Sequence, residues 1–132
     1  MICLKFQQNI ISLCVVLTGL FFVISCTNAD VKTFRKAAER GDAEAQYSLG
    51  HCYYHSLGVI QDNKEAVRWF RKAAEQGHAE AQYRLGHCYY AGLGIIQDYN
   101  EALRWFRKAA EQGHAEAQYI LEVSFYYRIG VI

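Results

Sequence analysis

Residues 41–76 recur almost unchanged as residues 77–112, and a third copy opens at Gly113 and runs to Ile132. The three copies start at Gly41, Gly77 and Gly113, a period of 36 residues. A fixed period of this length marks stacked supersecondary units, each too small to bury its apolar side alone and each covered by its neighbours. The two full copies differ at only eight positions: Asp42/His78, Ser48/Arg84, His55/Ala91, Ser56/Gly92, Val59/Ile95, Asn63/Tyr99, Lys64/Asn100 and Val67/Leu103. So close a match points to recent duplication, and identity between the copies then says little about selection.

Within one copy the apolar pattern gives two helices. From Asp42 to about His55, with Leu49 at the centre of a face at 3.6 residues per turn, Ala45, Cys52 and Tyr53 fall beside it, while Tyr47, His51 and Tyr54 fall on the far side. This is helix A. Leu57-Gly58-Val59-Ile60-Gln61 has no helical pattern and reads as the connector. Asp62 and Glu65 have the spacing of a capping box and open helix B, as do Asp98 and Glu101 in the next copy. The apolar face of helix B is Ala66, Trp69, Phe70, Ala73 and Ala74, with Arg68, Arg71, Lys72 and Glu75 turned outward. Gly77 and Gly113 follow as left-handed C′ residues. Upstream, residues 34–40 align with 70–76, so a lone helix B precedes the first full repeat, with Asp30 or Asn28 as its cap. The expected array is B, A-B, A-B, A, six helices without strands. Its divisions are 1–25 as a signal peptide, 26–40 as tether and half-repeat helix, 41–76 and 77–112 as full repeats, and 113–132 as a truncated third.

The leader has its own character. Lys5 is the only charged residue before Asp30, and residues 10–24 form an apolar run broken only by Ser12, Thr18 and Gly19. That matches a secretory h-region better than a full membrane span. Val23-Ile24-Ser25-Cys26 resembles the bacterial lipobox, which makes Cys26 the expected lipidation site and the chain a membrane-anchored lipoprotein of the periplasm or cell surface. Cleavage after Ala29 with soluble secretion, or retention as an anchor, are the alternatives; all three place the repeats outside the cytoplasm. Without residues 1–25 the chain carries 13 basic and 13 acidic side chains, a balance that provides no basic field for nucleic acid. Cys52 and Cys88 hold the same repeat position, on the order of 10 Å apart in a stack of helices, too far for a disulfide. They read as small buried hydrophobes.

Gly77-His78-Ala79-Glu80-Ala81-Gln82-Tyr83, Leu85-Gly86, Tyr89, Gly92-Leu93-Gly94-Ile95, Asp98, Ala102, Trp105 and Lys108-Ala109-Ala110 together resemble the Sel-1-like repeat, a relative of the tetratricopeptide repeat. The resemblance implies an all-α fold, a right-handed α/α superhelical solenoid, acting as an adaptor for other proteins without catalysis. For exported bacterial members it implies work in envelope assembly, signalling or host interaction. Ser56 and Arg128 depart from the pattern by replacing the first connector glycine, and Glu122 stands where Gly50 and Gly86 allow close helix contact. A cysteine-rich branch of the family pairs cysteines within each repeat and has been linked with penicillin binding. Cys52 and Cys88, one per repeat, do not reproduce those pairs.

Residue chemistry points the same way. No serine begins Ser-x-x-Lys or sits in Gly-x-Ser-x-Gly, so the β-lactamase and esterase signatures are absent, and no catalytic residue, metal ligand or cofactor is assigned. His51, Cys52 and His55 put two imidazoles at i and i+4 around a thiol, the spacing of a metal or small-ligand site, but Ala91 removes the second histidine from the next copy. The stripe Tyr47-His51-Tyr54 returns as Tyr83-His87-Tyr90 and, altered, as Tyr119-Val123-Tyr126. It is open to two readings, anchors for a protein partner or packing between neighbouring helices. At one divergent position beside it stand Ser48, Arg84 and Ile120. The expected partner-binding set is therefore Tyr47, Ser48, His51, Tyr83, Arg84, His87, Tyr119 and Ile120. Finally, the third helix A has no helix B after it to cover Tyr119, Leu121 and Phe125, so self-association, partner binding or fraying is expected at that end.

Overall fold

The computed structural model describes residues 27–130. The expected signal peptide and its lipidation site Cys26 lie outside them. Six helices follow one another: α1 (Asn28–Glu39), α2 (Ala43–His55), α3 (Asn63–Glu75), α4 (Ala79–Ala91), α5 (Tyr99–Glu111) and α6 (Ala115–Gly130). Among the described residues there is no strand. Helices α2, α4 and α6 are the A helices, α1, α3 and α5 the B helices, and each packs on the next in an all-α solenoid.

The B helices end identically. Gly41, Gly77 and Gly113 take φ of 98°, 90° and 87°. In α3 the Gly77 N–H then reaches the Ala74 carbonyl (3.0 Å) and the His78 N–H the Ala73 carbonyl (3.2 Å), the paired bonds of a Schellman motif. The A helices end at Ser56 and Gly92, both left-handed.

The caps at the helix starts differ from expectation at α1, α3 and α5. Thr27, not Asn28 or Asp30, caps α1, and Asp30 closes a full capping box back onto it. The helix therefore begins immediately after Thr27. At α3 only half of the expected box forms. Asp62 caps Lys64 and Glu65, but its own N–H goes to the Tyr53 carbonyl (3.1 Å), which leaves Glu65 to pair with Arg68 (3.1 Å). At α4 and α6 the cap is a histidine, His78 or His114, whose Nδ1 accepts from the N–H three residues on.

The core is a chain of clusters, each joining one repeat to the next. Val31 and Ala38 of α1 pack with Leu49 and Cys52 of α2 and Trp69 of α3. Phe70 and Ala74 of α3 pack with Leu85 and Cys88 of α4 and Trp105 of α5. Phe106 and Ala109 of α5 pack with Ala117 of α6. The expected faces of helices A and B are all buried or half-buried. Cys52 and Cys88 are both 1% exposed, in separate clusters, and burial pushes the Cys88 thiol up to about 11. Arg71 departs from its expected outward position: it is half-buried and donates to the Tyr89 hydroxyl (2.9 Å), tying α3 to the next helix A.

One feature of the packing escaped the sequence reading. Gln46 and Gln82 are buried inside the A helices, and each amide donates to a carbonyl of the preceding B helix, Ala38 (3.0 Å) and Ala74 (3.1 Å). Their oxygens accept from Gln76 and Gln112 (both 2.7 Å), so each buried amide is satisfied across two repeats. Gly50 and Gly86 bring helix A onto the phenylalanine of its own helix B. A Cβ on Gly86 would lie 2.8 Å from Phe106 Cδ1, and one on Gly50 would lie 2.7 Å from Phe70 Cδ1. Glu122, at the same position of α6, is exposed, because within the described chain no helix B follows to press against it. Nor does α6 turn at Arg128, where the other A helices enter their connector; it continues helical to Gly130.

Candidate protein-docking face

The far-side stripe is half-buried at Tyr47, His51, Tyr54, Tyr83 and His87, where an A helix leans on the next repeat, while Tyr90, Tyr119 and Tyr126 are exposed. Tyr47 stacks on His78, the cap of α4, with ring centroids 4.9 Å apart, and Tyr83 stacks on His114 at 4.5 Å. Their rings also lie 6.0 Å and 5.7 Å from Phe70 and Phe106. The capping histidines complete the link. With Nδ1 accepting a backbone N–H, the ring proton sits on Nε2, which donates to Glu44 from His78 (2.9 Å) and to Glu80 from His114 (2.8 Å). Of the expected partner-binding residues, Tyr47 and Tyr83 therefore hold neighbouring repeats together with one ring face, while Ser48, His51, Arg84, His87 and Ile120 are half-buried and Tyr119 is 68% exposed.

Arg84 organises the first groove, between α2 and α4. Its Nε donates to Glu80 (3.0 Å), and its guanidinium also bonds the Tyr47 hydroxyl on α2. Burial would raise the Glu80 pKa, but the His114 hydrogen bond and the Arg84 charge outweigh it and hold the carboxyl below its usual value. Burial, the neighbouring His55 and the Arg84 charge push the His51 pKa down; burial and Arg84 do the same to His55 and His87. All three imidazoles are thus kept neutral on this face. The His51 and His55 rings approach to 4.3 Å, but Cys52 between them is buried on the other side of the helix. Among the described residues no three His, Cys, Asp or Glu side chains gather where a metal ion could be held.

In the second groove, between α4 and α6, the position of Arg84 is taken by Ile120. There the surface opens into a cleft of about 410 Å³ lined by His87, Tyr90, Phe106, Tyr119, Ile120, Val123, Ser124 and Tyr127. At its far side α6 keeps Leu121 half-buried but leaves Phe125 64% and Tyr126 76% exposed. No helix among the described residues is long and apolar enough to cross a membrane.

The Sel1 repeat pattern matches residues 34–42, 43–78 and 79–114, more than half of the chain. The chain belongs to the Sel1 repeat family. Its fold is shared with a Sel1 repeat protein from Oxalobacter formigenes, 40% identical with a TM-score of 0.71 over 78% of this chain and 42% of that one. A protective antigen of uropathogenic Escherichia coli strains, displaying an SLR fold, is 37% identical with a TM-score of 0.72 over 80% of this chain and 22% of its own. Helicobacter pylori cysteine rich protein B is 26% identical with a TM-score of 0.67, over 70% of this chain and 69% of that one. The chain thus spans less than half the length of the first two. No curated protein matches significantly. Sel1 repeat proteins are generally non-catalytic scaffolds for protein interaction.

Proposed function

We propose that this Sel1 repeat protein is a non-enzymatic adaptor of the bacterial envelope that binds a protein partner along the concave side of its A helices. The observation that carries this reading is the divergence of nearly identical repeats at one place. Ser48, Arg84 and Ile120 fill the same position with polar, cationic and apolar side chains, and the grooves between successive A helices change character with them. Aromatic side chains and arginine in such grooves are the usual anchors of a solenoid's partner. The apolar leader and the Val23-Ile24-Ser25-Cys26 motif support lipid attachment at Cys26, which would hold the first helix against a membrane surface.

Purification of the tagged protein from membranes, with mass spectrometry of what accompanies it, tests the adaptor reading. A partner retained by the wild type and lost from Arg84→Ala or His87→Ala supports it. Arg68→Ala, which removes an exposed ion pair with Glu65 and a guanidinium over Trp69 on the outer side of α3, serves as the control. No accompanying protein, or equal recovery from all variants, refutes it. Palmitate labelling of the wild type but not of Cys26→Ala is the expected result for the lipid anchor; equal labelling of both, or of neither, removes it.

A further inference from the structure

Each inner A helix receives the phenylalanine of its own helix B in the same way. On α2 the Phe70 ring packs with Tyr47 and Tyr54, centroids 6.0 Å and 6.3 Å away, and against Gly50, where a Cβ would stand 2.7 Å from the ring. The carbonyl oxygen of Ala66, itself wholly buried, lies 3.2 Å from that same point. On α4 Tyr83 and Gly86 hold Phe106 and Ala102 alike. Trp69 and Trp105 then join the cluster formed with the preceding helix B.

The first and last described helices carry the two halves of this interface, each altered at its tightest point. Helix α6 keeps both tyrosines, as exposed Tyr119 and Tyr126, but its glycine is Glu122. Helix α1 keeps the phenylalanine and both alanines, as Phe34, Ala37 and Ala38, but 36 residues before Ala66 and Trp69 stand Asp30 and Thr33. Suppose α1 of one copy lay on α6 of another as α3 lies on α2. Phe34 would then meet a whole glutamate side chain where even a methyl group is far inside the ordinary carbon contact of about 3.5 Å. The same placement sets Asp30 against Glu122 and takes both carboxylates out of water. Asp30 is ionised at neutral pH, since the Thr27 N–H and hydroxyl (both 2.8 Å) hold its pKa below the usual value. Thr33, exposed, supplies none of the burial of a tryptophan. Contacts between unlike ends do not close on themselves, so copies free to dock in this way would add to one another without limit.

We propose that Glu122, supported by Asp30 and Thr33, keeps α1 of one copy from docking as a helix B on α6 of another. Sedimentation equilibrium of the full chain in density-matched detergent tests it. The chain with Glu122→Gly, Asp30→Ala and Thr33→Trp, which restores the residues of the inner repeats, should form assemblies whose mass keeps rising with concentration. Its α6 amides should then exchange hydrogen more slowly than those of the wild type. The chain with Asp30→Ala and Thr33→Trp alone, retaining Glu122, should keep the wild-type mass at every concentration. Because glycine weakens a helix, Glu122→Ala with Phe34→Leu in the same background gives a second form, in which alanine favours the helix and the smaller side chain leaves room for its methyl group. This form should assemble as well. If neither the glycine form nor the alanine form exceeds the wild-type mass, the proposal is overturned. Assembly of the form retaining Glu122 to the same extent as the glycine form overturns it too, as does a wild type that itself assembles without limit.

Discussion

Replacing Gly86 by alanine sets two opposite effects against each other, and the structure decides which wins. In an isolated helix the change stabilises by about 1 kcal/mol, because alanine loses less backbone freedom than glycine. Here the new Cβ would lie 2.8 Å from both Cδ1 and Cε1 of Phe106 and 3.2 Å from the Ala102 carbonyl oxygen. Ordinary contact between carbon atoms is about 3.5 to 4.0 Å, so α4 and α5 must separate or the ring must leave its place. Phe106 is 1% exposed within a packed cluster and has nowhere to go, so overpacking costs about 1 to 3 kcal/mol. The net expectation is a loss of about 1 kcal/mol, a fall of roughly 4 °C in melting temperature. Phe106→Leu removes the obstructing ring. Combined with Gly86→Ala, it should give a protein about 1 to 2 kcal/mol more stable than the sum of the single changes. Urea unfolding of the four proteins measures the cycle. A more stable Gly86→Ala with an additive double variant would refute the close-contact reasoning and leave helix propensity as the only effect.

Two further expectations follow from local geometry and charge. Ser56 is the one non-glycine with positive φ among the described residues, at 58°, where the next repeat has Gly92, and its hydroxyl makes a single exposed bond to the Val59 carbonyl. Ser56→Gly should therefore stabilise by about 0.5 to 1 kcal/mol in urea unfolding, since relief of the left-handed strain exceeds that bond; destabilisation would show that the bond outweighs the strain. His51, His55 and His87 have folded pKa values below the ordinary 6.5, so the unfolded chain takes up protons first as pH falls. Their stabilising contribution is complete above about pH 6.5 and is lost as pH drops from there through the folded values. Glu80, also depressed, acts with the same sign below its usual 4.5. Urea midpoints measured from about pH 7.5 to 5 should fall for the wild type and fall less for the variant with all three histidines changed to Asn; equal slopes would remove them as the cause.

The repeat, the order B, A-B, A-B, A, the buried faces of both helices and the glycine ends of the B helices were all legible in the residues alone. These are local properties: an amphipathic period and a φ requirement act within a turn or two of chain, and a 36-residue period leaves stacking as the only way to cover each apolar face. The buried glutamines were half legible. Gln46, Gln82 and Gln118 recur at one position in every copy, but their meaning depends on a carbonyl eight residues back and, for the first two, an amide thirty residues on, which only the stacked helices bring together. The histidine caps were hidden for the same reason, since His78 and His114 each find a glutamate 34 residues away. The second bond of the capping box was misjudged where a distant carbonyl competed for a backbone N–H, as Tyr53 does at Asp62. The docking face shows the division most clearly. The one-position variation Ser48, Arg84, Ile120 was plain in the sequence, yet whether such a side chain fills a groove or opens one depends on the helix opposite. That is decided by inter-repeat packing, where Arg84 finds Tyr47 and Glu80 within reach and Ile120, without a charge to pair, leaves a cleft.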